Sequence, residues 1–303
     1  MDSRNQMLCG YYAFEEYKFA RASLELLLKN IHDDKHLPLT APSRRALTIP
    51  SFTLVYFLQV YEYVKHSGDI DFFRVRQQQL SEILQAFLSR IESNGLIANF
   101  TEQQYWNFYE WTEDMDGDFM RESQKRYECP LNAFLVIALD SFARCAELAG
   151  LADAQKFSQI AEDINNAIFA EFYDTERQMF FSFSDGERMF SQLTNSLALL
   201  ANPKMSFYED LCQKLACGSD MSGISLSMMI YKYQALLGAQ GSYEDYIIED
   251  IRRIWGKMLF DGATSFYETE DGGDAFNFAG SLSHGWSALP VYFYHKLALT
   301  KDL

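Results

Sequence analysis

The sequence predicts an all-α fold, an (α/α)6 toroid supplied with about one helix fewer than the twelve it needs. Three observations carry this reading. Apolar residues recur at the helical period of about 3.6 in one segment after another. The breaks between most segments are short, which pairs neighbours antiparallel, and strand patterning is confined to one place. No period of about 34 to 47 residues recurs, and the loops differ greatly in length, so a closed toroid is preferred to a repeat solenoid.

The elements follow in order. Residues 3–14 carry Met7, Leu8, Tyr11 and Tyr12 on one face, and residues 15–30 carry Phe19, Ala22, Leu26 and Leu27. A proline-containing loop, HLPLTAPSRRALTIP, leads to Ser51, a favoured N-cap type, and to a helix through Leu54, Leu58 and Tyr61 that stops at Gly68. The next helix spans about 70–93 and closes on Gly95. Pro130 opens a helix that Gly150 ends, and Asp153 caps one reaching about Phe172. The run MFFSFSDGERMF reads as a β-hairpin turning at Asp185-Gly186. Helices are expected near 192–201, 206–216, 225–237 and 242–258, and a last one from near His284 to about Leu299. That makes eleven helices, read as one domain over residues 1–303.

Composition bounds the function. Hydrophobic residues make up 48% and charged residues 22%, an ordinary globular balance with material for a core. A formal net charge of −16 argues against a nucleic-acid partner, which requires a basic patch. No stretch has the continuous apolar length of a membrane span, and the amphipathic, acidic N-terminus has no apolar signal core. The five cysteines are scattered, odd in number and unaccompanied by His at zinc-site spacing. Free thiols, a cytoplasmic location and no metal or cofactor are therefore the expectation. Aromatic residues reach 16%, with 25 Phe, 18 Tyr and 4 Trp. Most belong to a core, yet an acidic chain rich in aromatic rings also suits a sugar cleft. Rings pack on the apolar faces of sugars and carboxylates accept from hydroxyls.

Two loops are long enough to be functional candidates. One, residues 96–129, contains YWNFYEWTEDMDGDF, with Trp106, Phe108, Tyr109 and Trp111 beside Glu110, Glu113, Asp114, Asp116 and Asp118. The other, TSFYETEDGGDAFNFAGSLSHGWSALP, carries Glu268, His284 and Trp286. By the hairpin count both precede inner helices, which puts them on one mouth of the toroid. Bland alternatives exist for each residue: a lone Glu is most often a solvated loop acid, and a His at a helix start most often a structural hydrogen bonder. DMDGD lacks the bidentate Glu that completes a calcium loop. The chain has no nucleophile elbow, P-loop or dinucleotide fingerprint. Carboxylate chemistry in an aromatic cleft, as in glycoside hydrolysis, remains.

These stretches resemble a known family. GATSFYETEDGG and SHGWSALP are similar to the C-terminal motif of the α-L-rhamnosidases of glycoside hydrolase family 78, which fold as a six-hairpin toroid. WNFYEW resembles that family's Trp-x-Phe-x-Asp-Trp, with Glu110 replacing the Asp, and SQLTNSLALL, MDSRNQM and IPSFTLVYF resemble three further segments in collinear order. The resemblance implies an inverting hydrolase of α-L-rhamnosides with Glu268 as general base and Asp2 as an acid that holds the sugar. It places Trp106, Trp111, His284 and Trp286 along the cleft and Glu110 among the substrate-binding residues. Its substrate would be a rhamnosylated oligosaccharide or other glycoside.

The family's general acid lies in a Tyr-Glu-Gln-x-x-Tyr segment before the position matched by Asp2, and no such segment is present here. The expectation is a C-terminal portion of such an enzyme, impaired in activity, with an uncovered apolar groove through which two copies pair. Two other readings stand beside it. One is a carbohydrate-binding toroid without catalysis. The other is a different toroid sugar enzyme, an unsaturated-uronyl hydrolase or an epimerase, which would not account for SHGWSALP.

Overall fold

In the computed structural model, which describes residues 2–43, 45–112, 115–218 and 220–301, the burial of each helix assigns it to a layer. Helices α3 (Pro50–Ser67), α5 (Cys129–Leu148), α7 (Gln192–Ala201) and α9 (Met229–Leu237) are buried on nearly every face. Helices α2 (Lys18–Lys29), α4 (Ile70–Leu88), α6 (Ala154–Phe172), α8 (Tyr208–Cys217) and α10 (Glu244–Phe260) bury one apolar stripe and leave the other face to water. The first kind forms an inner ring and the second an outer layer, since a helix with one apolar stripe can be covered on one side only. The first helix, α1 (Asp2–Phe14), and the last, α12 (Leu289–Lys301), pack on each other and close the ring.

Sequence order alternates the layers, so connections fall into two classes. Inner-to-outer turns are short, such as residues 15–17 and 68–69. Outer-to-inner connections are long, above all residues 89–128 and 261–288, and all enter the N-termini of inner helices. One end of the toroid is therefore trimmed and the other carries the loops. The second long loop holds α11 (Ala275–Phe278), a single turn, and 3-10 turns at Gly272–Asp274 and Gly285–Ala288. Helix α5 is long and apolar enough to be taken for a membrane span by composition, yet it is the buried centre of the inner ring.

Sequence expectations fail at several boundaries, each for a visible reason. Helix α3 starts at Pro50, and the Ser51 hydroxyl, instead of capping it, donates to the Phe108 carbonyl at 2.9 Å. Helix α4 ends at Leu88, well before Gly95, because residues 91 and 97 form a bridge that turns the chain toward the long loop. Asp153 sits at the start of α6 but makes no side-chain cap. The paired strands are β1 (Tyr173–Asp174) and β2 (Met179–Phe180), so the hairpin turns before residue 179. Around Asp185-Gly186 only the bridge of Phe181 to Phe190 remains. An apolar cavity of about 470 Å³ lies between α10 and α12, lined by Trp255, Leu259, Phe266, Val291 and Tyr294. Five long outer helices stand against six inner ones among the described residues.

A buried ion pair ties the ring together. Arg4 of α1 donates from Nε to Glu62 Oε2 at 2.9 Å and from Nη2 to Glu62 Oε1 at 2.6 Å, with α3 as the partner helix. The same Nη2 reaches Gln234 Oε1 of α9 at 2.9 Å, and the Arg4 side chain is 1% exposed. Removing one partner strands a charge in a dry interior, whereas removing both does not. Arg4→Met is expected to destabilise the protein by about 3–5 kcal/mol in urea titration, and adding Glu62→Leu should recover much of that loss. A single variant as stable as the parent would show that the clamp contributes little.

Candidate active site

The mouth is built where loop 261–288 enters α12 and meets the first turn of α1. Glu268 is fixed at both ends of its own short segment. Its backbone N–H donates to the Ser281 carbonyl at 2.8 Å, and its Oε2 accepts from the Ser281 N–H at 3.0 Å. The Trp286 indole donates to the Glu268 carbonyl at 2.9 Å. One carboxylate oxygen is thus anchored, while Oε1 faces the His284 ring, with Nε2 at 4.0 Å. His284 Nε2 also stands 3.7 Å from Asp2 Oδ1. Both gaps exceed a direct hydrogen bond, leaving the polar atoms of three side chains facing one small space. The imidazole is held by its backbone N–H to the Phe266 carbonyl and by the Trp286 ring, 3.8 Å between centroids.

Helix α1 is pinned to this segment by residues that sequence reading passed over. Asn5 donates to the Ser227 carbonyl at 2.9 Å and to the Trp286 carbonyl at 3.4 Å. Gln6 packs so closely on Gly285 that a Cβ there would sit 2.4 Å from its Nε2. The only signal available was their place in MDSRNQM, one turn after Asp2.

The aromatic wall comes from loop 89–128. Trp111, 41% exposed, packs on Phe108 at 4.8 Å, on Trp106 at 5.8 Å and on Phe276 at 5.4 Å between centroids. The last contact joins the two long loops, so Trp111 and the segment of Glu268 share one mouth. Phe276 and Asn277 hold left-handed backbone angles, a conformation costly for side chains of this kind that persists where surroundings impose it. Trp106 is turned by its indole N–H, which donates to the Asp116 carbonyl at 2.6 Å. That carbonyl is presented because Gly117, at φ 63°, lies against the Asn107 carbonyl, where a Cβ would come within 2.4 Å. Glu113 and Asp114 lie outside the described residues.

Glu110 departs from the other sequence-predicted site residues. It is fully buried, with Oε2 accepting from the Ser225 N–H at 2.8 Å and Oε1 without a hydrogen-bond partner. Instead of lining the cleft, it is buried against the connection that leads into α9. Burial pushes its carboxyl up to about 8, against the opposing pull of the Ser225 N–H. Next to it, Tyr109 donates to the buried Glu128, which Arg126 Nε engages at 2.8 Å, fixing the loop's return to α5.

The comparisons with known proteins bear on the family and the fold. The bacterial alpha-L-rhamnosidase 6 hairpin glycosidase domain matches residues 1–297. The chain belongs to this family. A family 78 rhamnosidase of Bacillus sp. GL1 superposes with a TM-score of 0.83 at 25% identity, covering 98% of this chain and 31% of that one. A rhamnosidase of Klebsiella oxytoca with rhamnose bound gives 0.80 at 19% identity, over 98% of this chain and 57% of that one. The fold extends to a mannosylglycerate hydrolase of Thermus thermophilus, with a TM-score of 0.66 at 13% identity, over 97% and 92%. No curated protein matches. The chain thus spans about a third to somewhat over half of these rhamnosidases, and the toroid expected from its helices is the fold of its family.

The buried acid yields a pH prediction. With its folded value raised, Glu110 keeps its proton in the native state while the unfolded chain loses it above the ordinary carboxylate range. Stability therefore falls as pH rises through that window and levels off above about 8. Glu110→Gln, neutral throughout, should flatten the curve by roughly 1.4 kcal/mol per pH unit between about pH 5 and about pH 8. Parallel stability curves for the two proteins would refute a protonated Glu110.

Proposed function

We propose that this glycosidase-family domain hydrolyses α-L-rhamnosides with inversion, and that Glu268 is the general base. The observation that carries the reading is the orientation of Glu268. One oxygen is held by the Ser281 N–H, and the other turns to the space shared with His284 and Asp2. In an inverting displacement the base takes a proton from a water attacking on the face opposite the departing group. An anchored carboxylate with one free oxygen suits that duty, because the anchored oxygen sets direction and the free one accepts the proton. Asp2 and the His284 imidazole then hold sugar hydroxyls, to which carboxylate and ring nitrogen are natural partners. Trp286 and Trp111 supply faces for the ring carbons. The bound rhamnose of the Klebsiella relative supports the choice of sugar.

Proton donation to the leaving oxygen is assigned to no described residue, so the test uses a substrate that does not need it. Rhamnosyl fluoride departs with little acid assistance and reads the base alone. Glu268→Gln should lower its hydrolysis by about 10²–10⁴-fold while rhamnose still binds, since the amide keeps the shape but takes no proton. Wild-type turnover by the variant would remove Glu268 from this role. Rhamnose binding by the parent without any turnover of the fluoride would favour a carbohydrate-binding toroid instead.

A further inference from the structure

A cavity of about 290 Å³ opens beside Asp2, between the first turns of α1 and α3, the flank of α2 and the loop at residues 37–41. Its walls are Leu26, Leu27, Pro38, Leu39, Ile49 and Phe52. Two contacts make it continuous with the cleft. Asp2 lines the cavity and at the same time faces His284. Phe52 lines it as well and packs edge-on against Phe108, the ring on which Trp111 rests.

Most of the polar groups bordering this space are already engaged. Thr53 Oγ1 accepts from the Leu37 N–H at 3.1 Å, the Tyr56 hydroxyl donates to the Leu24 carbonyl at 2.9 Å, and the Ser3 hydroxyl donates to Gln59 Oε1 at 3.0 Å. Away from Asp2, Ser23 and Thr40 at its border, a sugar placed there would meet mainly leucine, proline and phenylalanine, and most of its hydroxyls would lose water without replacement. An apolar ring would gain from the same surface. The volume is near the lower end of the range of about 300–1,000 Å³ typical of small-molecule pockets, which suits one or two fused rings.

We infer that this cavity is the leaving-group subsite and that it selects rhamnosides whose aglycone is an apolar, ring-containing alcohol or phenol over those linked to another sugar. The inference rests on the proposed rhamnoside function and names the second half of the substrate.

The test is binding of a non-hydrolysed ligand, which does not depend on turnover. Calorimetry would compare naphthyl 1-thio-α-L-rhamnoside with methyl α-L-rhamnoside on the parent, on Ser23→Phe, which fills the cavity from the half-buried flank of α2, and on Leu39→Asp, which places a charge in its wall. The parent should bind the naphthyl compound at least about tenfold more tightly than the methyl one. In both variants that ratio should fall toward one. Equal affinities in the parent, or an advantage that persists in both variants, would overturn the subsite while leaving the rhamnoside reading intact. If neither compound binds the parent, the rhamnoside reading itself fails and takes the subsite with it.

Discussion

The mouth depends on how α1 closes the inner ring. Its first two turns are held from three sides: Arg4 by Glu62 and Gln234, Asn5 by the carbonyls of Ser227 and Trp286, and Cys9 by the Ala288 carbonyl at 3.2 Å. Trp286 in turn donates to the Glu268 carbonyl. Asp2, His284 and Glu268 are therefore positioned through one chain of contacts running from α3 and α9 through α1 into the last loop. A displacement of α1 by one turn, about 5.4 Å, exceeds either gap around His284 Nε2 and would dismantle the arrangement.

The two-layer order explains why the candidate site residues gather at one end. Each inner helix is entered from the loop-bearing side, so their N-termini face the mouth together. The partial positive charge of a helix N-terminus favours nearby carboxylates. In a chain with net charge −16, that field eases the placing of Asp2 and Glu268 close to each other. Short turns at the other end leave little there but helix ends. The long loops are then stiffened by side-chain-to-backbone bonds, from the Trp106 indole to Asp116 and from the Trp286 indole to Glu268, and by the left-handed turn that sets Phe276 on Trp111.

Outer helices were legible as elements because a single apolar stripe is a periodic signal, as in α10. In α2 the stripe itself differs from the expected face: Ala20, Leu24 and Leu28 are buried, while Phe19, Ala22 and Leu26 are exposed, since α2 turns its i, i+4, i+8 row to the ring. Inner helices were legible by their punctuation, with Pro130 near the start of α5 and Gly68 after α3. What failed was settled by partners distant in sequence. Ser51 has the chemistry of a cap but is taken by Phe108, and MFFSFSDGERMF gives part of its edge to the bridge of Glu128 with Phe183. At the site, motif residues such as Glu268 and His284 could be named in advance. Arg4 and Asn5 could not, because polar residues on a short helix look like a solvated face until the ring closes over them.

Glu110 and Glu268 show how the same side chain is given different work. Glu268 is half-buried, with one oxygen anchored and one open. Glu110, buried away from solvent with the Ser225 N–H on one oxygen, holds its proton up to about pH 8. A protonated Glu110 adds no negative charge to the loop of Trp111. Its remaining task is mechanical. By accepting from Ser225 just before α9, it ties the loop of Trp111 to the inner ring that also holds α1, so the aromatic wall and the carboxylates it faces are registered to one frame.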